Sequence, residues 1–124
     1  MRGLSEENDF GKEESVGRII IKEDIGFKRT SKYSWVSIEV DGVRVGKIRL
    51  MPLKESLIIQ SIIIFPEFER KGYAKAAIDY YKEKYDKIIA DRVRSAARSF
   101  WKKMEFSDNN DGNYIWRRRR LSQI

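Results

Sequence analysis

Residues 57–75 read LIIQSIIIFPEFERKGYAK, and this stretch decides the fold. A strongly apolar run reaches Phe65, broken only by Gln60 and Ser61. Pro66 ends it, because proline has no N–H to give to a strand ladder. A charged turn then leads to Gly72. Beyond it Ala74, Ala77, Ile78, Tyr81 and Tyr85 recur at helical spacing, which predicts an amphipathic helix over 72–85. A strand, a turn with free backbone N–H groups and a helix N-terminus together suit a phosphate-bearing ligand.

The elements on either side follow from the same periodicities. Upstream, residues 33–40 and 43–50 flank Asp41-Gly42. In 33–40, Trp35, Ser37 and Glu39 alternate with Val36, Ile38 and Val40. Two such runs around Asp-Gly predict a β-hairpin. A turn containing Pro52 precedes the strand 57–65, and residues 16–22 (VGRIIIK) read as a first strand. Downstream, residues 87–90 (KIIA) read as a short strand. Ala97, Phe100, Trp101 and Met104 mark a second helix over 95–104, residues 109–112 a turn, and residues 114–116 a last strand. The order β, β-hairpin, β, α, β, α, β implies an α/β (α+β) fold with a mixed, mostly antiparallel sheet and two packed helices.

Composition narrows the chemistry. At 124 residues one domain is expected, here over 15–124, and 41% hydrophobic residues fit a globular core. The chain has no cysteine and no histidine. Thiol nucleophiles, disulfides, serine-protease triads and zinc catalysis lose their usual side chains, and no metal site is expected. Residues 1–14 carry a net charge of −3 and read as a flexible acidic tail without the apolar core of a signal peptide. A cytoplasmic location and no membrane span are expected. Lys and Arg number 26 against 19 Asp and Glu, and residues 92–124 carry a net +6. That imbalance favours an anionic ligand, whether nucleic acid, acidic protein or nucleotide cofactor, or else serves as a solvated face.

Two motifs carry a resemblance. Residues 69–74, Glu-Arg-Lys-Gly-Tyr-Ala, match a Q/R-x-x-G-x-G/A turn, and residues 94–106, RSAARSFWKKMEF, match an N-x-x-A-x-x-F-Y-x-x-x-G-F helix. The chain thereby resembles the GNAT superfamily of acyl-CoA-dependent N-acyltransferases over about residues 33–116. The resemblance implies a sheet with splayed central strands and acetyl-CoA as cofactor. The implied cofactor residues are Ile62, Ile63 and Ile64 along the strand, Arg70, Lys71, Gly72, Tyr73 and Ala74 in the turn, and Phe100 and Lys103 on the second helix. Amides of 70–74 at the positive end of a helix dipole can hold a pyrophosphate. A backbone N–H near Ile62 would polarise a thioester carbonyl.

The sequence also departs from the pattern. Glu69, Arg94 and Glu105 replace the usual Gln or Arg, Asn and Gly. Ile58 occupies the strand position where some members carry a glutamate, and Trp101 the place of the tyrosine that protonates the leaving thiolate. Indole N–H donates a hydrogen bond but is no general acid. Glu55, Gln60 and Ser99, with Asp91 and Tyr114, are the candidate polar groups for the chemistry.

Two functions follow. One is transfer of an acetyl group to a primary amine. The other is a catalytically weakened binding protein of the same fold, acting through CoA, protein or nucleic acid. Residues 23–32 are too short for the two helices that often wall the acceptor site in the family, so N-terminal helices are expected to be reduced or absent. An open groove suits a macromolecular acceptor, such as a protein lysine or N-terminus or an aminoacyl-RNA. Nucleic acid would be met by Arg117, Arg118, Arg119 and Arg120, or these end the last strand as a solvated tail. A monomer or homodimer is expected.

Overall fold

Asp41 and Gly42 both adopt positive φ, 52° and 79°, the two-residue turn whose twist matches the strands it joins. It links β2 (Ser34–Val40) to β3 (Val43–Pro52) in antiparallel register. The computed structural model describes residues 19–23 and 32–119. The acidic tail, the start of the expected first strand, the segment 24–31 with any N-terminal helices, and Arg120 lie outside the described residues.

Around the hairpin stand β1 (Ile20–Glu23), β4 (Ser56–Ile64), β5 (Lys87–Ala90), β6 (Ser107–Asp108) and β7 (Tyr114–Arg117). They form one seven-stranded sheet in the order β1-β2-β3-β4-β5-β7-β6. Among the described strands only β4 and β5 run parallel, joined by α1 (Tyr73–Lys82). The second expected helix is a 3-10 turn, Ser95–Ala97, running into α2 (Arg98–Lys103). The two-residue strand β6 is not foreseen from the sequence, since so short a pair carries no period.

Register divides the sheet into two faces. Val36, Ile38, Ile48, Leu50, Leu57, Ile59, Ile88 and Ala90 share one face and one buried cluster with Ala77, Ile78 and Tyr81 of α1 and Trp101 of α2. Both described helices therefore pack on this face. Trp35, Ser37, Lys47, Arg49 and Ser61 alternate onto the other face. At β3 and β4 the strands approach so closely that a Cβ on Gly46 would collide with the Ile63 carbonyl oxygen.

The end of α2 explains one departure from the family pattern. Phe106 N–H donates to the Trp101 carbonyl (3.0 Å) and Glu105 N–H to that of Lys102 (2.9 Å), the paired bonds of a Schellman cap. Such a cap needs positive φ after the helix. Glu105 supplies it at 72°, where glycine would do so without strain. Trp101 and Phe106 pack edge to face at 4.8 Å and close the cap.

Candidate active site

The pairing of β4 with β5 stops early. Ser56, Leu57, Ile58 and Ile59 oppose Lys87, Ile88, Ile89 and Ala90, and Asp91 N–H makes a final bond to the Ile59 carbonyl at 2.8 Å. Beyond that bond β4 continues to Ile64 with no partner on this side among the described residues. A bulge sits at the same point: Arg49 opposes Ser61 and Leu50 opposes Ile59, so Gln60 is the extra residue. A bulge kinks and twists its strand, which turns β4 away from β5.

The strands enclose a cavity of about 860 Å³. Its strand wall is Gln60, Ser61, Ile62, Ile63 and Ile64; Ala74, Ala97, Phe100 and Trp101 line it on the helix side. On the opposite face it is bounded by Trp35, Arg49 and Asp91, with Arg92 and Arg94 beside them. The gap thus opens toward both faces of the sheet.

At its margin lies the loop before α1. Gly72 is the N-cap, with φ 84° and ψ 11°, a left-handed conformation that a Cβ disfavours. The first intrahelical bond runs from Ala76 N–H to the Gly72 carbonyl (3.0 Å). The amides of Gly72, Tyr73, Ala74 and Lys75 precede it and have no acceptor within the helix. The N-cap glycine has no side chain to cap them. Arg70 is also held at positive φ, 67°. Arg70, Lys71 and Gly72 are exposed, so the loop presents both N–H groups and cations to solvent.

The sequence candidates separate in space. Gln60 and Asp91 reach the cavity. Glu55 does not: it lies in the exposed turn before β4, about four residues and roughly 13 Å of strand from Ile59. Ser99 is exposed on α2 outside the lining, as is Lys103. Tyr114 is 3% exposed and packs in the core. Tyr73 is half-buried against that core rather than in the cavity wall. Trp101 lines the cavity but is only 6% exposed, wedged edge to face on Phe100 at 5.1 Å.

Asp91 gains a partner that sequence reading missed. Tyr33 O–H donates to its Oδ2 at 3.3 Å, across 58 residues of chain. Burial, then the Asp91 charge and this bond, raise the Tyr33 phenol above its ordinary pKa, so it stays a donor. Arg92, at positive φ (53°), places Nε 3.6 Å from the same oxygen. Arg118 is likewise absorbed into the fold. It donates to the Asp86 carboxylate at 2.9 Å and to the carbonyls of Lys82 (2.7 Å) and Tyr85 (3.1 Å), capping the C-terminal end of α1. One member of the expected nucleic-acid arginine run is therefore a structural clamp.

Among the described residues no group of three or more acidic side chains is placed to hold a metal, and no helix is long and apolar enough to cross a membrane.

A mixed seven-stranded sheet with splayed parallel strands and a helix N-terminus at the gap defines the acyltransferase class of the GNAT fold. The acetyltransferase (GNAT) family model matches residues 4–106, and the chain belongs to that family. Comparison with curated proteins found no match. Solved structures share the fold at low identity. The Escherichia coli protein YhhK bound to coenzyme A is 8% identical over 81% of this chain and 98% of its own, with a TM-score of 0.66. The ribosomal-protein-S18-alanine N-acetyltransferase from Escherichia coli is 11% identical over 77% of this chain and 76% of its own, at 0.53. A GNAT family acetyltransferase from Elizabethkingia anophelis with acetyl-CoA bound is 17% identical over 72% of this chain and 76% of its own, at 0.51.

Proposed function

We propose that this chain transfers an acetyl group from acetyl-CoA to a primary amine that enters from the face of the sheet opposite the two described helices. The early end of the β4–β5 pairing carries this reading, because it opens a cavity between a helix N-terminus and the carboxylate of Asp91. Relatives of the same fold with acetyl-CoA or coenzyme A bound support it.

Acetyl-CoA supplies a pyrophosphate, a long flexible arm and an activated acyl group. The amides of residues 70–74, with Arg70 and Lys71, suit the pyrophosphate. The edge of β4 facing the gap at Ile62, Ile63 and Ile64, beyond its pairing with β5, offers backbone donors and acceptors to the arm, and an N–H near Ile62 serves the acyl oxygen. Phe100 and Trp101 exclude water from the helix side. Asp91 holds the ammonium of the acceptor and accepts its proton, while the Tyr33 hydroxyl fixes the carboxylate. Gln60, at the bulge, orients a water in the same wall.

A second reading has its own observation. Trp101 stands where the family has its acidic tyrosine, and indole gives up no proton at neutral pH. A protein that binds acetyl-CoA without turning it over is the outcome this reading expects.

The test is thermal. Acetyl-CoA at a hundred times its Kd adds about 2.7 kcal/mol to the folded state, and Gly72→Glu removes that gain by placing bulk and negative charge at the cradle. No stabilisation of the unmutated chain by millimolar ligand sinks both readings. Stabilisation without any acetylated amine leaves the second.

A further inference from the structure

Transfer from a thioester leaves negative charge on sulfur, and the wall of the cavity has to meet that charge. The described residues that line the cavity include no tyrosine, lysine, histidine or cysteine to hand the sulfur a proton. Trp101 offers an indole N–H and is 6% exposed. The Tyr33 hydroxyl is engaged, donating to Asp91. The described cations on the lining are Arg49, Arg92 and Arg94. Arg49 lies 5.4 Å from the Tyr33 ring centroid and 5.9 Å from that of Trp35. Arg92 sets its Nε 3.6 Å from the Asp91 carboxylate. Arg94 is exposed and pairs with no acid among the described residues.

The segment that carries Arg94 is held at each step. Asp91 N–H donates to the Ile59 carbonyl, Arg92 N–H to the Asn113 Oδ1 and Val93 N–H to the Gly112 carbonyl, each at 2.8 Å. The Arg94 carbonyl then accepts from Ala97 N–H at 2.9 Å, in the 3-10 turn that runs into α2. Arg94 therefore stands in the wall between the Asp91 carboxylate and the side formed by Ala97, Phe100 and Trp101. Resting on the acyl-transfer reading above, we infer that Arg94 is a catalytic residue that holds the sulfur of the leaving group as a thiolate. In the transfer the amine nitrogen bonds the acyl carbon, the carbon–sulfur bond breaks, its electron pair stays on sulfur and the amine's proton goes to Asp91. Solvent then takes that proton and returns one to the sulfur. A guanidinium keeps its charge and donates hydrogen bonds, so it meets the new charge as it forms without acting as an acid. Ile62, Ile64 and Phe100 make the surroundings apolar, which strengthens that attraction once the cofactor's arm fills the gap. Tryptophan at 101 is tolerated on this account, because no general acid is required there.

The experiment reads the ionisation of the thiol in CoA bound to the full chain, by the ultraviolet absorbance of the thiolate. The spectrum of the complex with desulfo-CoA, which lacks the sulfur, is subtracted so that the protein's own tyrosines cancel. Thermal shifts give the affinity for each ligand. An opposite charge a few ångströms away favours the ionised thiol, so at neutral pH the thiolate fraction of bound CoA is at least about tenfold that of free CoA. Arg94→Gln removes that excess and leaves desulfo-CoA binding unchanged, which a misfolded variant could not do. Arg94→Lys keeps most of the excess by restoring a cation. Arg98→Gln, exposed and outside the lining, keeps all of it. A bound thiol that ionises as in free CoA, an excess that survives Arg94→Gln, or a loss of desulfo-CoA binding in that variant each overturns the inference; the last would put the guanidinium on the phosphates. If neither ligand stabilises the unmutated chain, the acyl-transfer reading fails and the inference with it. If both stabilise it while the thiol stays protonated, the inference alone fails.

Discussion

Replacing Gly46 by alanine tests how tightly β3 and β4 are locked together where they border the cavity. A Cβ there would collide with the Ile63 carbonyl oxygen and stand 3.0 Å from Ile64 Cδ1 and 3.1 Å from Ile64 Cα. Ordinary carbon contacts are about 3.5–4.0 Å, so the strands must part by roughly half an ångström or more. Overpacking of this kind costs about 1–3 kcal/mol. The obstructing atoms are mostly backbone, held by the β3–β4 ladder, and a rotamer change cannot relieve them. Against that, alanine stiffens the unfolded chain and returns about 0.4–1 kcal/mol. The net loss is about 1–2 kcal/mol, a fall in Tm of about 3–10 °C for a domain of this size. Ile63 and Ile64 also line the cavity, so the variant should lose part of its acetyl-CoA stabilisation beyond the fall in Tm. Circular dichroism melts with and without acetyl-CoA measure both effects. A Gly46→Ala chain as stable as the parent would show that β4 gives way freely and that the close approach does not fix the gap.

Trp101→Phe is expected to lower acetyl transfer only modestly, because indole supplies no proton. Trp101→Tyr should raise it if a phenol can reach the leaving group. A drop beyond about a hundredfold in Trp101→Phe with folding intact, the range of an acid–base residue, would refute this account. Tyr81 is 6% exposed, and burial first, then the neighbouring Tyr80, Tyr85 and Glu23, raise its phenol well above the ordinary range. A raised pKa means that the fold favours the protonated form. Its contribution is therefore full below about pH 10 and is lost as pH climbs above that. Tyr81→Phe should flatten the fall in denaturant midpoint on the alkaline side, and an unchanged profile would show that another group governs it.

Much of the fold was legible because its signals are local. The Asp41-Gly42 turn, the alternation on either side of it and the helical spacing from Ala74 to Tyr81 each depend on neighbours a few residues away. So do the two motifs that point to the family. Most element bounds shift only at the ends, the second helix begins as a 3-10 turn, and β6 escapes because two residues carry no pattern. The loop before α1 was legible for the same reason: Gly72 both starts the helix and leaves its first amides open.

The proposed acceptor side was not legible, because it is made by distant strands. The candidates Glu55 and Gln60 are close in sequence, yet the bulge at Gln60 and the end of pairing at Ile59 put one in the cavity wall and leave the other in an exposed turn. Tyr33 meets Asp91 only because the residue just before β2 and the residue just after β5 come together across the sheet. The arginines at the C-terminal end looked alike in sequence. Tertiary structure spends Arg118 on the carbonyls of Lys82 and Tyr85, at and just past the end of α1, while Arg44 and Arg49, unremarked in the sequence, gain aromatic supports through cross-strand register. The sequence by itself determines where strands, turns and helices form, since those follow from periodicity and turn chemistry. Which charges converge on the gap is decided only when the strands are ordered side by side, because register sets the face and neighbours of every side chain.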